Sequence, residues 1–450
     1  QVSERPDVVG RPRPGDAWPT SPHRRESPAP HRHVTTTDQK IPATGAWRVG
    51  DPIAARRFVR VAGPDPAVEP PGPTGVTATT PVGIGGVERG SGASSRPFRL
   101  EGGGLLGAVD VAFETWGALD DDASNAVLVC HALTGDAHVA GRAGPGQPTP
   151  GWWDALVGPE LALDTDRYFV VCSNVVGGCQ GSTGPASIDP DTGAPYGSTF
   201  PVISIRDMVR VQALLADHLG IARWKAVVGG SMGGMQALEW ATMYPARVGA
   251  LVVASTTAAA SAQQIAWSHI GRAAIASDPR FRDGDYYDAA PGDGPHRGLA
   301  VARMCAQVTY RSDEVFTERF HRTMLGPLAF TLEPTFDIEG YLDYHGLKLA
   351  RRFDANSYVR LNRAMDLHDI ARGRGSTEAA LERIQAPALV AAVRSDGLYP
   401  PIQQQVLADG LRSVGGDVTW VDLDSPHGHD GFLIETPQLS SPIRTFLEST

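Results

Sequence analysis

The chain has 450 residues, of which 42% are hydrophobic and 20% charged, and a formal net charge of −10. That balance suits a soluble globular core and supplies no basic surface for nucleic acid or anionic lipid. No apolar run reaches the roughly twenty residues that span a bilayer. The length predicts two or three domains, or one large α/β domain. Four cysteines (Cys130, Cys172, Cys179, Cys305) sit in or beside apolar segments without paired spacing. They read as reduced thiols of a cytoplasmic protein.

Residues 1 to about 56 are rich in Pro, Arg, His, Ser and Thr and lack apolar periodicity. Such a segment buries too little surface to offset its ordering entropy, so disorder is expected. It has no apolar stretch of the signal-peptide kind. Because the chain opens on Gln1, an initiator or leader is expected to have been trimmed. His23, His31 and His33 lie here, and without a rigid scaffold they are not expected to bind metal. A second Pro/Gly-rich patch covers about 63–95, so residues 1–96 read as a disordered extension with order beginning near Phe98.

Beyond that point the signals alternate. Apolar, β-branched runs at 109–115, 126–131, 168–174, 224–229, 248–255, 388–393 and 417–422 predict strands, and 205–219 and 232–244 predict helices. This is the pattern of a mostly parallel sheet covered on both faces. Between about 258 and 385 the pattern turns to helices and loops. An insertion of that size predicts a helical lid over the carboxyl ends of the strands, where open α/β sheets bind ligands. The expected layout is core 97–257, lid 258–385 and core 386–450, with no internal repeat.

The apolar run at 225–229 ends in Gly229-Gly230-Ser231-Met232-Gly233, and a helical pattern follows at once. Strand, sharp turn and helix place a serine at the apex, with small neighbours where the chain crowds itself. The helix N-terminus below it can stabilise a developing anion. These features predict the nucleophile elbow of an α/β-hydrolase fold.

A serine hydroxyl needs a general base, and the base an orienting acid. In this fold they follow in the order Ser, Asp/Glu, His. Asp396 lies just past the apolar run ending at Ser395, and His429 lies in a glycine-flanked loop after the next strand. Read alone, Asp396 is a turn former before Gly397; beside Ser231 and His429 it reads as the acid. His427 is the alternative base. The oxyanion would rest on two backbone N–H groups, those of Met232 and of Leu133 in the turn after the strand at 126–131. His131 and His138 in that turn read as packed, hydrogen-bonded side chains, since no carboxylate or cysteine cluster completes a metal site.

Five stretches are more specific than a fold. Residues 130–138 (CHALTGDAH), 148–154 (PTPGWWD), 174–185 (NVVGGCQGSTGP), 229–234 (GGSMGG) and 428–433 (GHDGFL) occur in this order. Together they closely resemble the homoserine O-acetyltransferase family of methionine biosynthesis, from about Gly107 to the C-terminus. The resemblance implies ping-pong transfer from acetyl-CoA, a co-substrate and not a bound cofactor, through an acetyl-serine at Ser231. It also implies a deep tunnel that excludes water. The stretch Ala302–Arg311 matches the family's lid motif, which implies that Arg303 binds the substrate carboxylate and that Tyr310 hydrogen-bonds nearby. Asp430 would then pair with the substrate ammonium. Arg272 and Asp366 lie in familiar stretches but receive no role. A cytoplasmic homodimer joined through the lid is implied as well. Relatives that acetylate L-serine or a deacetylcephalosporin hydroxyl, or that use succinyl-CoA, would share these motifs. A serine esterase or thioesterase would share the triad without needing Arg303 and Asp430.

Overall fold

The computed structural model of the chain describes residues 41–64, 87–328 and 330–450. Its strands are β1 (Arg57–Ala62), β2 (Val87–Ser94), a short pair β3 (Phe98–Arg99) and β4 (Leu105–Leu106), β5 (Val109–Trp116), β6 (Ala126–Cys130), β7 (Phe169–Ser173), β8 (Ala226–Gly230), β9 (Leu251–Ala254), β10 (Ala388–Val393) and β11 (Val418–Leu423). The helices flanking the sheet are α1 (Ile205–His218) and α2 (Met232–Met243). Between β9 and β10 come α3 (Ala262–Ala276), α4 (His296–Tyr310), α5 (Asp313–Phe320), α6 (Asp337–Ala350), α7 (Ala355–Asp366) and α8 (Thr377–Leu381). The chain closes with α9 (Pro401–Ser413), α10 (Gly431–Ile434) and α11 (Thr436–Ser449).

Nine strands form one sheet in the order β11-β10-β9-β8-β6-β7-β5-β1-β2. Among the described strands of that sheet, β5 alone runs against the rest, antiparallel to both β1 and β7. Side chains of β6 alternate between two cores: Ala126, Leu128 and Cys130 join one, Val127 and Val129 the other. A strand buried on both faces needs apolar residues at every position, which is why these runs read as continuous and not alternating. Helices α1 and α2 cover one face, and α11, through Leu439, Ile443 and Phe446, covers the other. The start of α1 is fixed by a capping box, with Ser204 and Asp207 exchanging side-chain and backbone hydrogen bonds.

The predicted strands and the two flanking helices are all present, but order does not begin near Phe98. Both β1 and β2 lie inside the stretch read as a disordered extension. Their stability comes from partners distant in sequence. Phe58, Val59 and Val61 are buried, the Phe58 ring packs on Trp47 with centroids 4.9 Å apart, and Arg60 pairs with Asp110 of β5 at 2.7 Å. Residues 1–40 and 65–86 of that predicted extension, His23, His31 and His33 among them, lie outside the described residues.

Candidate active site

Ser231 occupies the turn between β8 and α2 with φ 56° and ψ −126°, a left-handed backbone position that an L residue rarely adopts. Crowding explains the glycines around it. A Cβ at Gly229 would stand 2.3 Å from the Gly233 backbone, and one at Gly233 would stand 2.0 Å from the Cys130 carbonyl oxygen. The chain therefore crosses itself where only hydrogen fits, and this crossing lifts the Ser231 hydroxyl off the end of the sheet.

Two loops meet that hydroxyl. After β10, Asp396 turns back so that its Oδ1 accepts the N–H groups of Leu398 (2.9 Å) and Tyr399 (2.8 Å). Its Oδ2 accepts from Nδ1 of His429 at 2.8 Å, and Nε2 of His429 lies 2.9 Å from Ser231 Oγ. All three side chains are buried. The Tyr399 ring stacks on the imidazole at 4.9 Å and 25°, while Phe432 meets it edge-on at 5.5 Å. Burial raises the Tyr399 hydroxyl pKa. His427 makes no contact with Ser231; its backbone N–H donates to Ser425 Oγ. An acceptor nitrogen facing a hydroxyl, backed by a buried carboxylate, is the arrangement that makes a serine nucleophilic at neutral pH.

Leu133 lies in the turn after β6, and Met232 is the first residue of α2, directly after Ser231. Neither N–H donates to any group among the described residues. His131 and His138 are both hydrogen-bonded, each to a partner outside the loop as well. His131 Nδ1 donates to the Ala132 carbonyl (2.8 Å) and its Nε2 accepts from the Val175 N–H (3.1 Å). His138 Nδ1 bonds Glu114 Oε2 at 3.0 Å, and that bond raises its pKa.

A pocket opens near His429, between the sheet-bearing core and the helices inserted between β9 and β10. Leu133, Met235 and Tyr399 form its core wall, and Trp267, Tyr310 and Tyr358 form its wall on the inserted helices. Tyr310 ends α4 with its ring 5.8 Å from that of His429. Arg303, two turns earlier, lies over the Tyr310 ring at 5.0 Å and has no carboxylate partner among the described residues. Asp430 is not free in the same way: Arg311 pairs with it at 3.2 Å. The sequence matched Arg311 without giving it a role. Asp366, which lines the pocket, pairs with Arg272 at 2.6 Å. Tyr399 also escaped the sequence reading. The signal that could have found it is an aromatic residue three positions after the acid, close enough for its own N–H to anchor the carboxylate.

Fold and site together make the chain an enzyme of the α/β-hydrolase class. A sequence model described as alpha/beta hydrolase fold matches residues 125–427. The homoserine O-acetyltransferase of Thermobifida fusca (strain YX) is 51% identical over 411 residues, 91% of this chain and 98% of that one. That of Clavibacter michiganensis subsp. michiganensis is 49% identical over 413 residues, covering 91% and 96%. The chain belongs to the homoserine O-acetyltransferase family. Among solved structures, the homoserine O-acetyltransferase from Bacillus anthracis superposes with a TM-score of 0.73 at 29% identity, covering 78% of this chain and 95% of that one. Esterase E22 superposes equally well, with a TM-score of 0.73 at 32% identity, covering 78% and 97%.

Proposed function

We propose that the chain transfers an acetyl group from acetyl-CoA to the side-chain hydroxyl of L-homoserine, as a step of methionine biosynthesis, through an acetyl-Ser231 intermediate. His429 accepts the Ser231 proton as Oγ attacks the thioester carbonyl. The oxyanion rests on the N–H groups of Leu133 and Met232, and collapse expels the thiolate, which takes its proton from His429. Homoserine then enters, His429 removes the proton of its hydroxyl, and attack on the acetyl carbonyl frees Ser231. Asp396 holds the Nδ1–H tautomer throughout and balances the imidazolium.

The observation that carries the acyl-transfer reading is Arg303. An unneutralised guanidinium beside the Tyr310 ring, on the helix whose last residue packs against His429, suits a free carboxylate. An esterase has no use for such a group. The ammonium of the same amino acid would compete with Arg311 for Asp430. Hydrolysis is the second reading, favoured by the likeness to esterase E22.

One experiment tests both. Purified enzyme is given acetyl-, propionyl- or succinyl-CoA against homoserine, serine, deacetylcephalosporin C or water, and thiol release is followed. Release should be fastest with acetyl-CoA and should depend on homoserine. Arg303→Ala should raise the homoserine KM by about 10²-fold, the size of a lost charge-assisted pair, with the acetyl-CoA KM little changed. Equal turnover with and without homoserine would establish the hydrolase instead.

The enzyme would act in the cytoplasm as a homodimer joined through the lid, a reading supported by the exposed apolar side chains of Trp267, Ile270 and Val308 on α3 and α4. Sedimentation at twice the chain mass is the expected result; a monomer at assay concentration would reject it.

A further inference from the structure

The stretch Asn174–Pro185, prominent in the sequence, takes no part in the chemistry above. Its contacts lead to the turn that carries Leu133. Residues 132–135 close that turn, with the Gly135 N–H donating to the Ala132 carbonyl at 2.9 Å. The Leu133 N–H belongs to the same peptide unit as the Ala132 carbonyl. In a planar trans peptide the two point in opposite directions, so whatever fixes the carbonyl aims the N–H.

Two side chains fix it. His131 acts directly, because its Nδ1–H donates to the Ala132 carbonyl at 2.8 Å. Nε2 of His131 accepts the Val175 N–H at 3.1 Å, which keeps the proton on Nδ1. Burial lowers the pKa of His131 and so keeps the imidazole neutral. Arg352 acts through one further peptide. It follows α6 in the lid, and its Nη1 donates to the Thr134 carbonyl at 3.0 Å. The other end of that peptide is the Gly135 N–H, which holds the Ala132 carbonyl. Arg352 is itself secured, since its own carbonyl accepts from Gln180 Nε2 at 2.7 Å. Asn174 completes the frame by accepting the Ala137 N–H at 2.9 Å and donating to the Gln180 carbonyl at 2.6 Å.

We propose that His131 and Arg352 are positioning residues of the oxyanion hole, which together aim the Leu133 N–H at the carbonyl oxygen under attack. Because Arg352 stands on the lid and Leu133 on the core, the donor is correctly directed only when the lid is seated. This inference rests on the acyl-transfer reading above.

The test uses the full chain and acetyl-CoA alone, then acetyl-CoA with homoserine. Thiol release in the first turnover reports acylation, and its amplitude counts active sites. H131F and R352M should slow acylation and acetyl transfer by the same factor, about 10–100-fold, part of the ~10²–10³ that loss of a whole oxyanion donor costs. The homoserine KM should stay within about twofold, as expected for an interaction felt in the transition state. H131N keeps a donor at the Nδ1 position and R352K keeps a cationic donor, so both should recover most of the rate. Rates per active site equal to wild type in H131F and R352M would overturn the proposal. So would a loss confined to the homoserine KM, which would make Arg352 a substrate ligand. Should H131F not fold, R352M decides the matter, because residue 352 is less buried than His131. Failure of the parent reading is distinguishable: there, wild-type thiol release would be the same with and without homoserine, or Ser231→Ala would still take up the acetyl group.

Discussion

Ser231→Ala is expected to remove the acetyl-enzyme seen by intact-mass measurement after acetyl-CoA alone and to lower kcat by about 10⁵–10⁶. The substitution takes away the hydroxyl that faces His429 Nε2 at 2.9 Å and leaves the rest of the site standing. The left-handed backbone at this position is set by the crossing of Gly229 and Gly233, and alanine can occupy it as serine does. Folding and melting temperature should therefore stay close to wild type, which isolates the chemical loss. Some thiol release above the uncatalysed rate should survive, because the N–H groups of Leu133 and Met232 remain and His429 can still activate a water. A mass increase of one acetyl group in the variant would show that another side chain carries the acyl group.

Asp396→Asn should cost about 10⁴ in acylation rate with little change in fold. The reason is directional. Oδ1 of Asp396 is committed to the N–H groups of Leu398 and Tyr399, so an asparagine must keep its oxygen there. Its amide NH₂ then faces His429 Nδ1, which has to become an acceptor. The imidazole proton moves to Nε2 and points at Ser231 Oγ, where it cannot receive the serine proton. Tyr399 stacked on the ring at 4.9 Å and 25° keeps the imidazole from turning to escape this. Acylation within tenfold of wild type would mean that the carboxylate is dispensable and that the base is oriented by other contacts.

The parallel strands were legible because burial on both faces leaves a continuous apolar run, and β6 to β10 are such runs. β1 was not, since Arg57-Phe58-Val59-Arg60-Val61 alternates charge with apolar residues beside a proline-rich patch. What makes it a strand is β5 and the Arg60–Asp110 pair, some fifty positions away. Ser231, Asp396 and His429 could be found because their order and their places after strands are fixed by the fold. Electrostatic partners could not. Nothing in the sequence says that Arg311 reaches Asp430, or that Arg272 reaches Asp366. The same holds for His131: the lack of a carboxylate or cysteine cluster suggested a packed side chain in the loop, but nothing in the sequence says that it bonds Ala132 and Val175.

The cysteines bear on how this enzyme can be watched. Cys130, Cys172 and Cys179 are buried free thiols, and burial raises the pKa of each, that of Cys179 to about 12. They are poor nucleophiles and out of reach of a bulky reagent. Cys305 is only partly buried and lines the pocket wall. A chromogenic disulfide that reports liberated coenzyme A should thus meet one slow protein background per chain, and that single modification would obstruct the very cavity under study. Substituting Cys305 by serine before any continuous assay separates the reporter from the reaction it reports.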